Sequence, residues 1–546
     1  MEAITIILVL LAAVVASSAI ARMAPWPLPL PFVQIALGAL IAFTFDFRIA
    51  LDPEIFLLLF IAPLLFLDGW RIPKEGLFRD KWTIIALALG LVVFTVVGAG
   101  LFIHWMIPAM PLAVAFALAA VLSPTDAVAV SAIAARTPIP KRLMHILEGE
   151  SLLNDASGLV CLRFAVAAAV TGTFSIAEAS AIFVWLAAGG VAVGVVVSAL
   201  ANVAKDWVSS HFGEETGTQI LISLLIPFGA YILAEDLKAS GILAAVAAGI
   251  VMSYEERTGR ALAITRIRRS AVWDAVQFAG NGAIFVLLGQ QLPGIVAGAG
   301  QVIHKTAQQG GLRLLLYVVA ISCVLIALRA LWAWATLGLI LFRTTRRRQS
   351  IPTPGWRLIA AMSLAGVRGA LTLSGVMTLP LTLLDGQAFP ARDLAIILAA
   401  GAILLSLIAA NLGLPYVMKG MMLPPDTRHQ TEEDEARLAA AEAAIRALEH
   451  DLRQTAEERD DADLYMQTGT QIMENYRQRI ETRLKTSKDA GLARKVDAIE
   501  RRLRLVALDA ERKELYRIGR SGKLAEDLTR KLVREVDLQE SRFSAR

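Results

Sequence analysis

Cysteine and charge are what this chain lacks. Of 546 residues only two are cysteines, Cys161 and Cys323. Both lie in apolar stretches, which excludes a disulfide framework and a thiolate metal site and marks them as packing residues. Charged residues make up 18% of the chain against 56% hydrophobic, with a mean hydropathy of +0.59. That balance excludes a soluble globular domain and a disordered one alike. Proline is absent after Pro425, where half the charge is gathered: Asp426 to Arg546 holds 25 basic and 26 acidic residues. The pI near 9.2 therefore reflects basic loops and not a nucleic-acid patch, and no nucleic-acid partner is expected.

What is present is a series of apolar runs of membrane-spanning length. About 13 of them fit the ~20 residues a span requires, centred near Leu10, Leu37, Leu59, Leu91, Leu118, Val160, Gly190, Pro227, Ala247, Phe285, Val324, Leu371 and Ile403. The first run has no basic segment before it and reads as a retained helix, not a signal peptide. An odd number of spans divides the loops into two alternating sets. One set, including Arg71, Lys74, Arg136, Arg257, Arg266 and Arg346, holds 19 basic residues, and the other, with Arg48, Lys238, Lys305, Arg313 and Arg392, holds 5. The positive-inside rule then places the N-terminus outside and the tail in the cytoplasm. The expected organisation is a transmembrane domain over residues 1–425 and a helical cytoplasmic domain over 426–546. In the latter, Leu438, Ala441, Ile445, Leu448 and Leu452 have the 3-4 spacing of a helix seam. The tail is acidic up to Asp463 and basic beyond it. It reads as a solvated helical bundle or as a regulatory element, and its partner is not legible.

Ionisable residues inside spans are the informative ones: Asp68, Asp126, Glu148, Glu150, Asp155, Arg163, Asp274, Arg329 and Arg368. An Asp or Arg at mid-helix costs roughly 2.5 to 3.5 kcal/mol, so a chain that keeps several points to an ion or proton pathway. The densest cluster, Glu148 to Asp155, opens the sixth span, where Ser151 and Asp155 share a helix face flanked by Asn154. Such an oxygen-rich group suits a small hard cation or a proton; a helix-capping or interhelical hydrogen-bond cluster is the alternative. Pro124-Thr125-Asp126 in mid-span predicts an interrupted helix. Gly366-Val367-Arg368-Gly369 marks a second weak point seven spans later, where Arg368 can offset exposed carbonyls. Interruptions in corresponding positions are the mark of inverted repeats with a midplane site. Asp68 either joins the ion route or caps a helix end, and Arg329 needs an anionic partner, for which Glu150 is the candidate. Arg163 and Glu148 are left as interfacial.

These residues fall in five motifs: "PLLFLDGWRIP" from Pro63, "SPTDAVAV" from Ser123, "EGESLLNDASGLV" from Glu148, "NGAIFVLLG" from Asn281 and "AGVRGALTLS" from Ala365. In that order they resemble the monovalent cation:proton antiporter-1 family, the NhaP-type and NHE-type sodium/proton exchangers. The resemblance runs from Met1 to Met422 and extends to "ERKELYRIGRSGKL" from Glu511. It implies an all-α polytopic membrane protein of about 13 helices, dimeric, with two interrupted crossing helices in a six-helix core. It implies Na+/H+ exchange through Asp155, with Asn154, Ser151, Asp126, Thr125 and Asp68 at the ion and proton site and Na+ itself at Asp155, Ser151, Asp126 and Thr125. Glu150 with Arg329 would be the structural pair and Arg368 the charge compensator. Asn154, where relatives with Asp-Asp move two protons per sodium, implies electroneutral exchange. No cofactor is implied beyond the transported Na+ and H+; the setting is a cell membrane, and the purpose pH and sodium homeostasis. Ala62 stands where many members have a second proline.

Three rivals remain. A potassium/proton exchanger keeps the fold and changes the ion, since a few oxygen ligands do not fix sodium over potassium. An intramembrane aspartyl protease using Asp126 and Asp155 leaves Asn154, Pro124 and Arg368 unexplained and lacks the Gly-x-Gly-Asp signature. A channel needs no titrating carboxylate.

Overall fold

The computed structural model describes residues 2–24, 29–45, 53–71, 86–126, 130, 141–171, 176–256, 262–305, 310–345, 356–383, 387–419, 427–455, 462–486, 490–521 and 526–544. Many of the basic loop residues counted above, among them Lys74, Arg136, Arg257 and Arg346, lie outside these, as do Ala127 to Ala129 and the junction at Pro425. The chain is all-α; among the described residues the strand-like pairing is one bridge, Thr382 with Ala388. Contacts divide it into two units, Met1–Met422 and Leu423–Arg546.

The first unit contains α1 (Glu2–Met23), α2 (Leu30–Phe45), α3 (Ala62–Arg71), α4 (Leu91–Met106), α5 (Leu112–Leu122), α6 (Lys141–Thr171), α7 (Ile176–Phe212), α8 (Thr216–Asp236), α9 (Gly241–Glu256), α10 (Ala263–Lys305), α11 (Gly310–Thr345), α12 (Trp356–Leu364), α13 (Ala370–Met377) and α14 (Arg392–Met418). The centre of every apolar run falls on a helix. Among the described residues seven helices are long and apolar enough to cross a membrane. The other runs fall on short, interrupted or charge-bearing ones. A π-helical turn, Leu57–Ile61, leads into α3, with the Ala62 N–H bonded to the Leu57 carbonyl. Pro63 follows at once; it has no N–H to give the preceding turn, and the wider turn absorbs the mismatch. α6 begins at Lys141, so the Glu148–Asp155 cluster lies well inside the helix and does not open it. Nothing between Lys141 and Glu148 breaks a helix, and the charged first turns are what disguised its start.

Buried apolar side chains form two clusters. One joins α4, α5, α6 and α11 to α14 through residues such as Leu118, Leu162, Ile321 and Ile403. The other joins α1, α3, α8, α9 and one face of α10 through Val14, Phe66, Ile226, Val246 and Trp273, while Phe285 and Leu288 on the other face of α10, with Ile35 of α2, pack in the first. They are called the crossing body and the flanking body below. On the flanking side two helix pairs approach until backbones touch. On α3 and α9, Gly69 faces the Val246 carbonyl and Gly249 the Phe66 carbonyl. On α2 and α10, Gly38 faces Val286 and Gly289 faces Ile35. Small residues that let backbones meet are the main source of helix affinity where lipid removes the hydrophobic drive. Of the two cysteines, Cys161 is half-buried but Cys323 is exposed on α11, so only Cys161 fits a packing role.

The second unit is four helices, α15 (Thr427–Thr455), α16 (Ala462–Thr486), α17 (Ala490–Arg520) and α18 (Glu526–Ser544). The seam ending at Leu452 forms the more buried side of α15, and Leu452 packs over Gly469 of α16. Leu508 of α17 and Val533 and Val536 of α18 are buried, and Arg512 bonds Asp537 at 2.9 Å.

A methyl group at Gly249 or Gly289 lands on a backbone carbonyl that cannot move aside. Gly249→Ala and Gly289→Ala are each expected to destabilise by about 1–3 kcal/mol, the usual effect of overpacking. At Gly294 a methyl group would meet nothing within 4 Å among the described residues, and Gly294→Ala should leave stability unchanged. Thermal unfolding of the three variants in detergent checks this.

Candidate functional site

Two helix breaks face each other inside the crossing body. α5 stops at Leu122 and the chain runs non-helically through Ser123 to Asp126; α12 stops at Leu364 and α13 starts at Ala370. Proline in the first break and glycines in the second prevent an unbroken helix. The breaks are tied directly: the Asp126 N–H donates to the Val367 carbonyl at 2.7 Å. Arg368, 3% exposed, lies between them. Its Nε donates to the Leu122 carbonyl at 3.1 Å and Nη1 to the Gly366 carbonyl at 2.6 Å, so one guanidinium serves the carbonyl-rich ends of two half-helices. The Arg368 N–H is itself taken by Ser406 Oγ at 3.1 Å. Gly369 is required because a Cβ there would overlap the Asp126 carboxylate.

α6 passes beside the first break and grips it. Ser151 Oγ donates to the Thr125 carbonyl and Asn154 Nδ2 to Thr125 Oγ1, both at 2.9 Å. Thr125 Oγ1 in turn donates to Glu150 Oε1 at 3.4 Å. Glu150 is held by both terminal nitrogens of Arg329, Nη2 at 2.8 Å from Oε2, and Arg329 Nε donates to the Met362 carbonyl at 2.8 Å. The pair is 1% and 4% exposed. It fastens α6, α11 and α12 into one body.

The two bodies meet at a cavity of about 60 Å³. Asp155, Ser151, Thr125 and Asp126 line it from the crossing body; Asp68, Ile61, Leu64 and Leu65, with Asn281 and Ile284 of α10, line it from the flanking body, and Phe285 of α10 packs in the crossing body's cluster. Three carboxylates sharing so small a space repel one another, and a cation or a proton between them relieves the repulsion. Among the described residues no three His, Cys, Asp or Glu are grouped so as to hold a metal ion.

Five of the six residues expected at an ion site thus line the cavity. Asn154 does not: its amide turns to Thr125, and its Oδ1 is buried without a hydrogen-bond partner among the described residues. Asp274, read as an in-span charge, is exposed and pairs with Arg71 at 2.5 Å. Sequence reasoning gave no role to Asn281 and Thr372, which line the cavity, or to Ser406. Asn281 opens a quoted motif and was findable; a lone serine in an apolar span carries no signal.

Removing one partner of a buried ion pair strands the other. Glu150→Gln should destabilise by about 3–5 kcal/mol, while Glu150→Gln with Arg329→Met should recover most of that, as read by unfolding in detergent.

Comparisons with known proteins identify the family. The model of the family described as "Sodium/hydrogen exchanger, transmembrane" matches residues 6–420. The chain is 40% identical over 548 aligned residues to the uncharacterized Na(+)/H(+) exchanger YjcE of Escherichia coli (strain K12), covering 99% of each. It is 39% identical to the sodium, potassium, lithium and rubidium/H(+) antiporter of Bacillus pumilus (strain SAFR-032), over 95% of this chain and 74% of that one. The solved structure of the sodium proton antiporter MjNhaP1 from Methanocaldococcus jannaschii matches 77% of this chain and 99% of its own, at TM-score 0.54 and 18% identity, a likeness of fold. A multi-pass all-α chain with two helix breaks tied together beside a carboxylate cavity, matched along three quarters of its length, belongs to the sodium/hydrogen exchanger family.

Proposed function

We propose that the chain is a secondary antiporter that exchanges Na+ or Li+ for H+, with Asp155 as the group for which cation and proton compete. The observation that carries this reading is the placement of Asp155 in the cavity where the two bodies meet, opposite Asp68 and beside the break at Asp126. A carboxylate at a boundary between bodies can face one side of the membrane, then the other, as one body slides. If it carries either a cation or a proton on every passage, influx of one is bound to efflux of the other. Thr125, Ser151 and Asp126 complete the oxygen donors for the cation and Asp68 guards the approach, while Glu150, Arg329 and Arg368 hold the frame.

One ionised carboxylate exchanging one cation for one proton moves no net charge, and the neutral Asn154 beside it supports electroneutral exchange. Potassium is the second cargo to consider, because the Bacillus pumilus relative carries it by name. The chain works as a homodimer in the cell membrane, N-terminus outside and tail inside, in pH and sodium homeostasis. Residues 1–425 carry transport and 426–546 form a separate cytoplasmic domain.

The test is dissipation of a preset pH gradient in proteoliposomes on adding Na+, Li+ or K+. Asp155→Asn should abolish the response, a loss of about a hundredfold or more for a group that must titrate in every cycle. Cation flux without proton movement, surviving in Asp155→Asn, would sink the antiport reading in favour of a channel; a response to K+ alone would move the cargo and keep the mechanism.

A further inference from the structure

Arg163 lies on α6 eight residues beyond Asp155, about 12 Å along the helix axis. Glu148 lies seven residues before Asp155, so Glu148 and Arg163 are on opposite sides of Asp155 along α6. Arg163 Nη2 reaches both oxygens of Glu235, at 3.5 and 3.4 Å. Glu235 ends α8, and its Oε1 also accepts the Gly241 N–H at 3.1 Å, which fixes the carboxylate against the first turn of α9. α6 belongs to the crossing body; α8 and α9 belong to the flanking body. The ion pair therefore joins the two, whereas Glu150 with Arg329 stays inside the crossing body and Arg71 with Asp274 inside the flanking one.

Burial separates these pairs further. Glu150 and Arg329 are 1% and 4% exposed and cannot part without leaving charge in a dry interior. Arg163 and Glu235 are 53% and 35% exposed, so they can separate without leaving a charge sealed in the protein interior. A contact between two bodies that slide in every cycle must be of the second kind. We propose that Arg163 and Glu235 form a latch that closes one end of the boundary between the bodies in the conformation seen here and opens when the cavity turns to the other side of the membrane. The inference rests on the antiport reading above and adds the pair that sets how long each state lasts.

An exposed ion pair shifts a two-state equilibrium by about two- to fivefold. Arg163→Gln and Glu235→Gln, the second keeping an oxygen for the Gly241 N–H, should each change the half-saturating Na+ concentration on one face of the vesicle by about that factor and leave Asp155-dependent exchange in place. Arg163→Glu with Glu235→Arg should return it toward the starting value, which a purely steric role for either side chain does not allow. The decisive arm is a cross-link: Arg163→Cys with Glu235→Cys, in a background of Cys161→Ala and Cys323→Ala, bridged by a short bifunctional methanethiosulfonate. Bridging should stop gradient dissipation, and dithiothreitol should restore it. Full-rate exchange in the bridged protein would overturn the latch. Loss of exchange in the unbridged double-cysteine protein would likewise overturn the latch, since the pair would then be required for exchange itself, whereas absence of exchange in the native chain would defeat the antiport reading.

Discussion

Everything about the site depends on one arginine placed between the ends of two half-helices. A helix that stops in mid-membrane leaves carbonyls that neither lipid nor water can satisfy. Here Arg368 takes carbonyls from the end of α5 and from the chain beyond α12, and a backbone bond from Asp126 to Val367 fastens the two interruptions to each other. Once that junction exists, Asp126 has no choice of position. Gly369 must be glycine to admit its carboxylate, and the cavity forms against it. The carboxylate-lined cavity is thus a consequence of satisfying two broken helices with one guanidinium.

The two bodies differ in how they are held. The flanking body is made of close backbone contacts, glycine against carbonyl, that tolerate no adjustment, reinforced by the stacked pair Phe66 and Trp273, 5.3 Å apart. The crossing body is fastened by polar links: Asn154 to Thr125, Thr125 to Glu150, Glu150 to Arg329, Arg329 to Met362. Bonds of that kind fix angles as well as distances, which a body carrying a binding site needs. Between the bodies lies the cavity, lined from both by polar and apolar side chains.

The fold and most of the site were legible because the membrane makes charge and proline conspicuous. Asp126, Asp155 and Arg368 stand out in apolar runs, and Pro124 and Gly366 announce breaks. The helix start at Lys141 was not legible, since the charged first turns of α6 resemble loop. Nor was Ser406, because a serine bonding its own helix and one taking a distant N–H look alike in sequence. Asp274 was legible as a charge in an apolar run, but its partner was not: it meets Arg71 of α3, 203 positions away in the chain. Hydropathy reports composition along the chain and is blind to which charges meet.

The position of Asn154 shows how a neighbour can govern a carboxylate without touching what it binds. Its Nδ2 donates to Thr125 Oγ1, which frees that hydroxyl's own proton for Glu150. An ionised aspartate in its place has no proton to donate, and Thr125 would have to choose between two acceptors. It would also add a negative charge beside Glu150, whose counterion Arg329 is already fully engaged. The amide is therefore the residue that lets one buried ion pair balance this part of the core. With the frame balanced in this way, the unpaired charge of this region is left to the carboxylates that line the cavity.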